Sequence, residues 1–184
     1  MRPFIIGIGG AHSKVGKTTI VCQILKRLSG WGAIKYTKTS FYSAIIDSPE
    51  VLRQPNKDTK RFIDAGAIDV LWVQSPPKGL IEVVEIAIDK LSHLKGIILE
   101  GNSAIETLRP DIVMFVSGDG VLKKGSERIL KMADAVIFER VPPKEIPKAA
   151  RRLCIDNERN YTNLINGLMN VIKKKKDSRA KSFD

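Results

Sequence analysis

Gly9-Gly10-Ala11-His12-Ser13-Lys14-Val15-Gly16-Lys17-Thr18-Thr19 is the stretch on which the reading of this chain turns. An apolar segment, Pro3 to Ile8, precedes it and suits a buried strand. After it, Ile20, Val21, Ile24, Leu25 and Leu28 recur at helical spacing. Strand, glycine loop, Gly-Lys-Thr and helix, in that order, make a phosphate-binding P-loop. The position where the pattern usually begins with glycine holds Ala11, with Gly10 just outside it.

Each residue type has a reason to be there. Backbone N–H groups of the loop and the positive end of the helix dipole converge on a nucleotide's β-phosphate. Gly16 presents no side chain to the phosphate, Lys17 reaches the β- and γ-phosphates, and the Thr18 hydroxyl ligates Mg²⁺. The expected nucleotide contacts are Gly10, His12, Ser13, Lys14, Val15, Gly16, Lys17, Thr18 and Thr19. His12 either donates to a phosphate oxygen or points to solvent, and no neighbouring ligand at metal spacing makes it part of a zinc site.

Working outward, 184 residues with 43% apolar content suit one globular domain, expected over residues 1–172. The formal charge of +11 is partly local, since residues 173–184 carry six basic and two acidic side chains. That run reads as a disordered basic tail. The rest helps attract a polyanionic nucleotide. No basic patch interleaved with aromatics points to nucleic acid. No segment has the length of a membrane span, and the early strand leaves no room for a signal peptide. Cys22 and Cys154 form neither a metal spacing nor a disulfide framework, which fits a reducing cytoplasm.

Apolar runs and helical patterns alternate along the chain, the signature of an α/β fold with a mainly parallel sheet flanked by helices. The expected strands are Pro3 to Ile8, Gly32 to Tyr36, Asp69 to Gln74, a segment ending at Glu100, Pro110 to Val116, and Ala135 to Glu139. The expected helices follow the P-loop and then cover Lys57 to Ala65, Leu80 to Leu91, Lys124 to Ala133, and Glu158 to Lys173. The pattern lapses between Thr37 and Asn56, and a long irregular connection in a compact domain is often functional. Glu100, at the end of an apolar strand, lies where open α/β sheets place their ligands. It is the first candidate for holding Mg²⁺ or orienting water. Asp47, inside the irregular stretch, is the second, on a loop that closes over the γ-phosphate as a switch. Lys17, Asp47 and Glu100 are thus the candidate catalytic residues, and Thr18, Asp47 and Glu100 the candidate metal ligands.

Taken together, four ordered segments resemble the molybdopterin-guanine dinucleotide biosynthesis protein B family. They are the P-loop, the second strand running through Gly32-Ala33-Ile34-Lys35-Tyr36-Thr37 towards Asp47, the helix Asn56-Lys57-Asp58-Thr59 through Ala65-Gly66-Ala67, and Leu99-Glu100-Gly101. Where the family has histidines after the second-strand lysine, this chain has Tyr36, Thr37 and Lys38, and Asn102 stands where an aromatic is usual. The resemblance implies a dimeric P-loop protein that binds GTP with Mg²⁺ and hydrolyses it slowly. It also implies assistance to the guanylyltransferase that attaches GMP to molybdopterin. By position, Asp47 and Glu100 would serve the Mg²⁺ or γ-phosphate, and Lys57 with Asp58 would form a second signature. The same scaffold also suits a small-molecule kinase or ATP-dependent ligase, with the loop after the second strand and the Ser75 to Gly79 turn shaping an acceptor pocket. It equally suits a nucleotide-gated adaptor for metal-centre maturation.

Overall fold

The computed structural model describes residues 2–155 and 161–181. An eight-stranded sheet runs through its centre in the order β3-β4-β2-β5-β1-β6-β7-β8, and only β3 is antiparallel to its neighbour. The strands are β1 (Phe4–Gly10), β2 (Trp31–Lys38), β3 (Ala44–Ile46), β4 (Val70–Ser75), β5 (Gly96–Glu100), β6 (Ile112–Gly118), β7 (Ala135–Phe138) and β8 (Arg151–Cys154). The helices are α1 (Lys17–Leu25), α2 (Pro49–Leu52), α3 (Asp58–Asp64), α4 (Leu80–Lys90), α5 (Asn102–Leu108), α6 (Glu127–Lys131) and α7 (Tyr161–Lys181). The α/β architecture expected from the alternating pattern is therefore present as one domain around one sheet.

Right-handed crossovers sort the helices. The chain moves from β1 to β2 to β4 in one direction along the sheet, placing α1 and α3 on one face, where α7 packs against α1. It then returns through β5, β6 and β7 in the other direction, placing α4, α5 and α6 on the opposite face. The reversal falls between the carboxyl ends of β1 and β5, where α1 and α5 leave in opposite directions. Such a crevice is where open α/β sheets bind ligands. Both faces are covered, so the central strands are mostly apolar, and every residue of β1, β5 and β6 is buried, Glu100 and Ser117 included. The sheet centre and its helices share a core that includes Ile6, Ile34, Leu99, Phe115, Phe62 and Trp31.

Several elements differ from the sequence expectation, each for a local reason. The stretch from Thr37 to Asn56 is not structureless, because Ala44–Ile46 adds an edge strand and Ser48-Pro49 opens a short helix with proline in its first turn. The four residues of β8 are exposed or half-buried and too polar to stand out as a strand. The segment from Asn102 to Leu108 is helical, buried through Ala104 and Ile105. The basic run expected as a disordered tail is the second half of α7 as far as Lys181. It is held because Lys176 lies over the rings of Trp31 and Phe4, at 4.5 and 5.4 Å, and Arg179 bonds to Asp111 at 3.1 Å. The expected start of this helix at Glu158 lies outside the described residues. Among the described residues no helix is long and apolar enough to cross a membrane.

Candidate nucleotide site

The phosphate loop leaves β1 at Gly10 and enters α1 at Lys17. Ala11 takes the glycine position without penalty. Its φ is not positive, its N–H donates to the Val116 carbonyl at 2.9 Å, and its methyl is buried. The left-handed turns of the loop fall instead at Lys14, with φ 62°, and at Gly16, with φ 101°. Gly16 is the position that requires glycine for its backbone. Val15 turns its side chain inward against Gly10 and Gly118, so only its backbone faces the loop's concave side. His12 does not reach across the loop, because its Nδ1 sits 2.8 Å from the Ser13 carbonyl. Asn102, at the first turn of α5, clamps the loop from the other side. Its Nδ2 donates to the Gly10 carbonyl and its Oδ1 accepts the Gly10 N–H, both at 2.9 Å.

A cavity of about 620 Å³ opens over the loop, lined by Lys14, Lys17, Thr18, Thr19, Lys35, Asp58, Arg61 and Glu100 among others. The Thr18 hydroxyl donates to Glu100 Oε2 at 3.0 Å. The other carboxylate oxygen of Glu100 accepts from Lys35 Nζ at 2.6 Å, and the same nitrogen lies 2.5 Å from Asp58 Oδ2. Lys35 and Glu100 meet because they are register partners on adjacent parallel strands. Asp58 arrives from the first turn of α3, and Arg61, one turn on, donates to the Thr19 hydroxyl at 3.1 Å.

The electrostatics follow from burial and pairing. Glu100 is almost wholly buried, with a side-chain exposure of 2%, and is stabilised by Thr18 and Lys35. Burial alone would lower the Lys35 ammonium, but Glu100 and Asp58 outweigh it and hold the group above its ordinary value. Burial likewise pushes the Asp58 carboxyl up, and the hydrogen bond and charge of Lys35, with Arg61 nearby, bring it below the usual range. Lys17 is the opposite case. Its ammonium is desolvated, donates to the His12 carbonyl at 2.8 Å, and is lowered, the attraction of Glu100 not making up the loss. A half-buried cation without a carboxylate partner of its own is primed for an anion.

The structure brings together Lys17, Thr18 and Glu100 as expected, and leaves out Asp47. Strand β3 runs antiparallel, pairing Ala44 with Gln74 and Ile46 with Trp72, so the chain descends away from the carboxyl ends of the sheet. Asp47 thus ends at the opposite edge, paired with Lys90 at the end of α4 at 3.0 Å. The acid that joins Glu100 is Asp58, which lay in the second signature. Lys35 lay in the second-strand segment of the resemblance but was given no role; a charge inside an otherwise apolar strand was the signal that its head group needed buried partners. The Ser75 to Gly79 turn does not line the cavity.

The donor set beside Lys17 is a hydroxyl and two carboxylates, all hard oxygen ligands of the kind Mg²⁺ takes alongside phosphate and water. Lys35 already holds a positive charge between the two acids, so the site fits a cation. No group of three His, Cys, Asp or Glu side chains suited to hold a metal by protein ligands alone occurs among the described residues.

The switch-point crevice, glycine loop and carboxylate-bearing neighbour strand define the fold of P-loop nucleotide-binding NTPases, and solved structures agree. HypB from Helicobacter pylori, in complex with nickel, matches with TM-score 0.61 and 14% identity over 96% of this chain and 88% of that one. The hydrogenase maturation factor HypB from Archaeoglobus fulgidus matches with TM-score 0.61 and 13% identity over 92% and 90%. LpxK from Aquifex aeolicus, in complex with ATP, reaches TM-score 0.50 and 18% identity over 84% of this chain and 54% of that one. At these identities the likeness is one of fold. No protein-family model matches the chain, and no curated protein sequence matches it.

Proposed function

We propose that this chain is a Mg²⁺-dependent GTP-binding accessory protein of molybdenum cofactor biosynthesis, acting with a molybdopterin guanylyltransferase and hydrolysing its nucleotide slowly. The observation that carries the reading is the meeting of Lys35, Asp58 and Glu100 at Thr18. Four segments carried the family resemblance, and all four contribute a side chain to this one cluster. The convergence supports reading them as one functional unit, with Asp58 in the place first given to Asp47. The nickel of the Helicobacter pylori neighbour is not carried over to this reading, since no group of three His, Cys, Asp or Glu side chains that could hold a metal occurs among the described residues.

In this reading Lys17 and the loop N–H groups bind the β- and γ-phosphates, while Thr18, Glu100 and Asp58 hold Mg²⁺, which supplies charge neutralisation at the phosphates. Glu100 is held by both Thr18 and Lys35, leaving it poorly placed to orient an attacking water. That supports slow turnover and a role in gating a partner. A homodimer and a cytoplasmic location complete the proposal. The test is equilibrium binding of GTP and ATP with Mg²⁺, on the parent and on Lys17→Ala. GTP should bind the parent, and the variant should lose most of that affinity while remaining folded. Preference for ATP, with no measurable GTP affinity, refutes the guanine assignment; undiminished GTP affinity in the variant refutes the site.

A further inference from the structure

A second cavity, of about 410 Å³, opens on the other side of the phosphate loop, above α5 and α6. It shares Ser13, Lys17, Tyr36 and Lys38 with the first and adds Lys123, Lys124 and Arg128. The lining carboxylate is Glu106, and it is committed to Arg128 at 3.0 Å. Lys38, Lys123 and Lys124 have no ion pair among the described residues. A Mg²⁺-nucleotide in the first cavity would draw on Lys17 and leave this second group of charges uncompensated.

The lysine-bearing segment is built onto the phosphate loop. The Lys123 N–H donates to the Ala11 carbonyl at 3.1 Å, and the Ser126 hydroxyl, in a buried residue, donates to the Lys123 carbonyl at 2.6 Å. Asn102, which clamps Gly10, forms part of the same wall. The backbone that carries the lysines is therefore fixed relative to the P-loop, and their side chains line the cavity from it. The volume suits a small ligand rather than a polymer track. Clustered ammonium groups act as point charges for phosphate, and a phosphomonoester is close to a dianion at neutral pH.

We propose that this cavity binds the phosphomonoester group of a second small ligand while nucleotide occupies the first, with the two anions facing each other across Lys17. The inference rests on the nucleotide reading above and assigns that site its second ligand. It also moves the acceptor side away from the Ser75 to Gly79 turn, to the α5–α6 face of the sheet.

The test uses the full chain saturated with Mg²⁺ and a non-hydrolysable GTP analogue, titrated calorimetrically with glycerol 3-phosphate and with inorganic phosphate. Saturable binding of the ester is expected, weakened at least tenfold in Lys123→Ala/Lys124→Ala, with nucleotide affinity within twofold of the parent. Both lysines are exposed, so circular dichroism should report an unchanged fold. The proposal is overturned if nucleotide saturation abolishes ester binding, which makes the cavity part of the nucleotide site. Equal ester affinity in the double variant also overturns it. So does a double variant that changes only self-association, which makes the face a contact between copies. Failure of the nucleotide reading is scored separately by nucleotide titration of the parent. In that event the same ester titration on the nucleotide-free parent and on Lys123→Ala/Lys124→Ala, both with Lys17 intact, still decides the second cavity.

Discussion

Lys35→Met should convert the folded chain from one that tolerates the absence of divalent cation into one that depends on it. Lys35 Nζ lies 2.5 Å from an Asp58 oxygen and 2.6 Å from a Glu100 oxygen, so those two oxygens are at most about 5 Å apart. Without the ammonium, two unit negative charges at that distance repel by about 3 kcal/mol at an effective permittivity near 20. Asp58 is about one-third exposed, at 35%, and solvent screening brings the cost to about 2 kcal/mol. Methionine retains most of the aliphatic stem, so little packing is lost. For a domain of this size that corresponds to a fall in melting temperature of about 4–8 °C. The assay is thermal unfolding of parent and variant in EDTA and in millimolar Mg²⁺. The variant should melt lower in EDTA and recover with Mg²⁺, which replaces the missing cation between the carboxylates, while the parent gains less. Equal melting temperatures for the two proteins in EDTA would refute the idea that Lys35 is the counter-ion of this pair.

Three further outcomes follow from the same geometry. Asn102→Ala leaves the Gly10 N–H and carbonyl without their side-chain partners, at a cost of about 1–3 kcal/mol by urea denaturation, and should weaken nucleotide binding by loosening the loop. Asp47→Ala breaks only an exposed pair with Lys90; stability should move by no more than about 0.5 kcal/mol and Mg²⁺-nucleotide affinity not at all, and a loss of Mg²⁺ dependence would return Asp47 to the site. Because the Asp58 carboxyl is depressed in the folded chain, its contribution is present above the ordinary carboxylate pKa of about 3.9 and is lost as pH falls through the lower folded value. Urea midpoints measured from pH 5 down to pH 2 should therefore fall less steeply in Asp58→Asn than in the parent.

What could be read in the chain directly was whatever chemistry confines to a few consecutive residues. The P-loop is such a case, since the pattern needs its lysine, threonine and left-handed glycine within one turn of backbone. The central strands were legible because burial on both faces demands continuous apolar runs, and Glu100 stood out at the end of one. Edge strand β8 gave no such signal, because an exposed edge does not require apolar residues. The basic segment at the end of α7 misled for a related reason: lysine and arginine stems can cover aromatic rings while their charges stay wet, so composition alone reads as a solvated tail.

The companions of Glu100 depended on the tertiary structure. Parallel register brings Lys35 beside Glu100, and packing of α3 brings Asp58 to the same nitrogen. Neither proximity is encoded in sequence spacing. Along the chain Asp47 was the acid given to the site, while Asp58 belonged to the second signature. The direction of a three-residue edge strand separated them, carrying Asp47 to the far end of the sheet while α3 delivered Asp58 to the phosphate loop. The sequence by itself located the glycine loop and the strand and helix that flank it. Which charges surround that loop was decided by strand order and register, because a charge acts through space and only the folded sheet sets those distances.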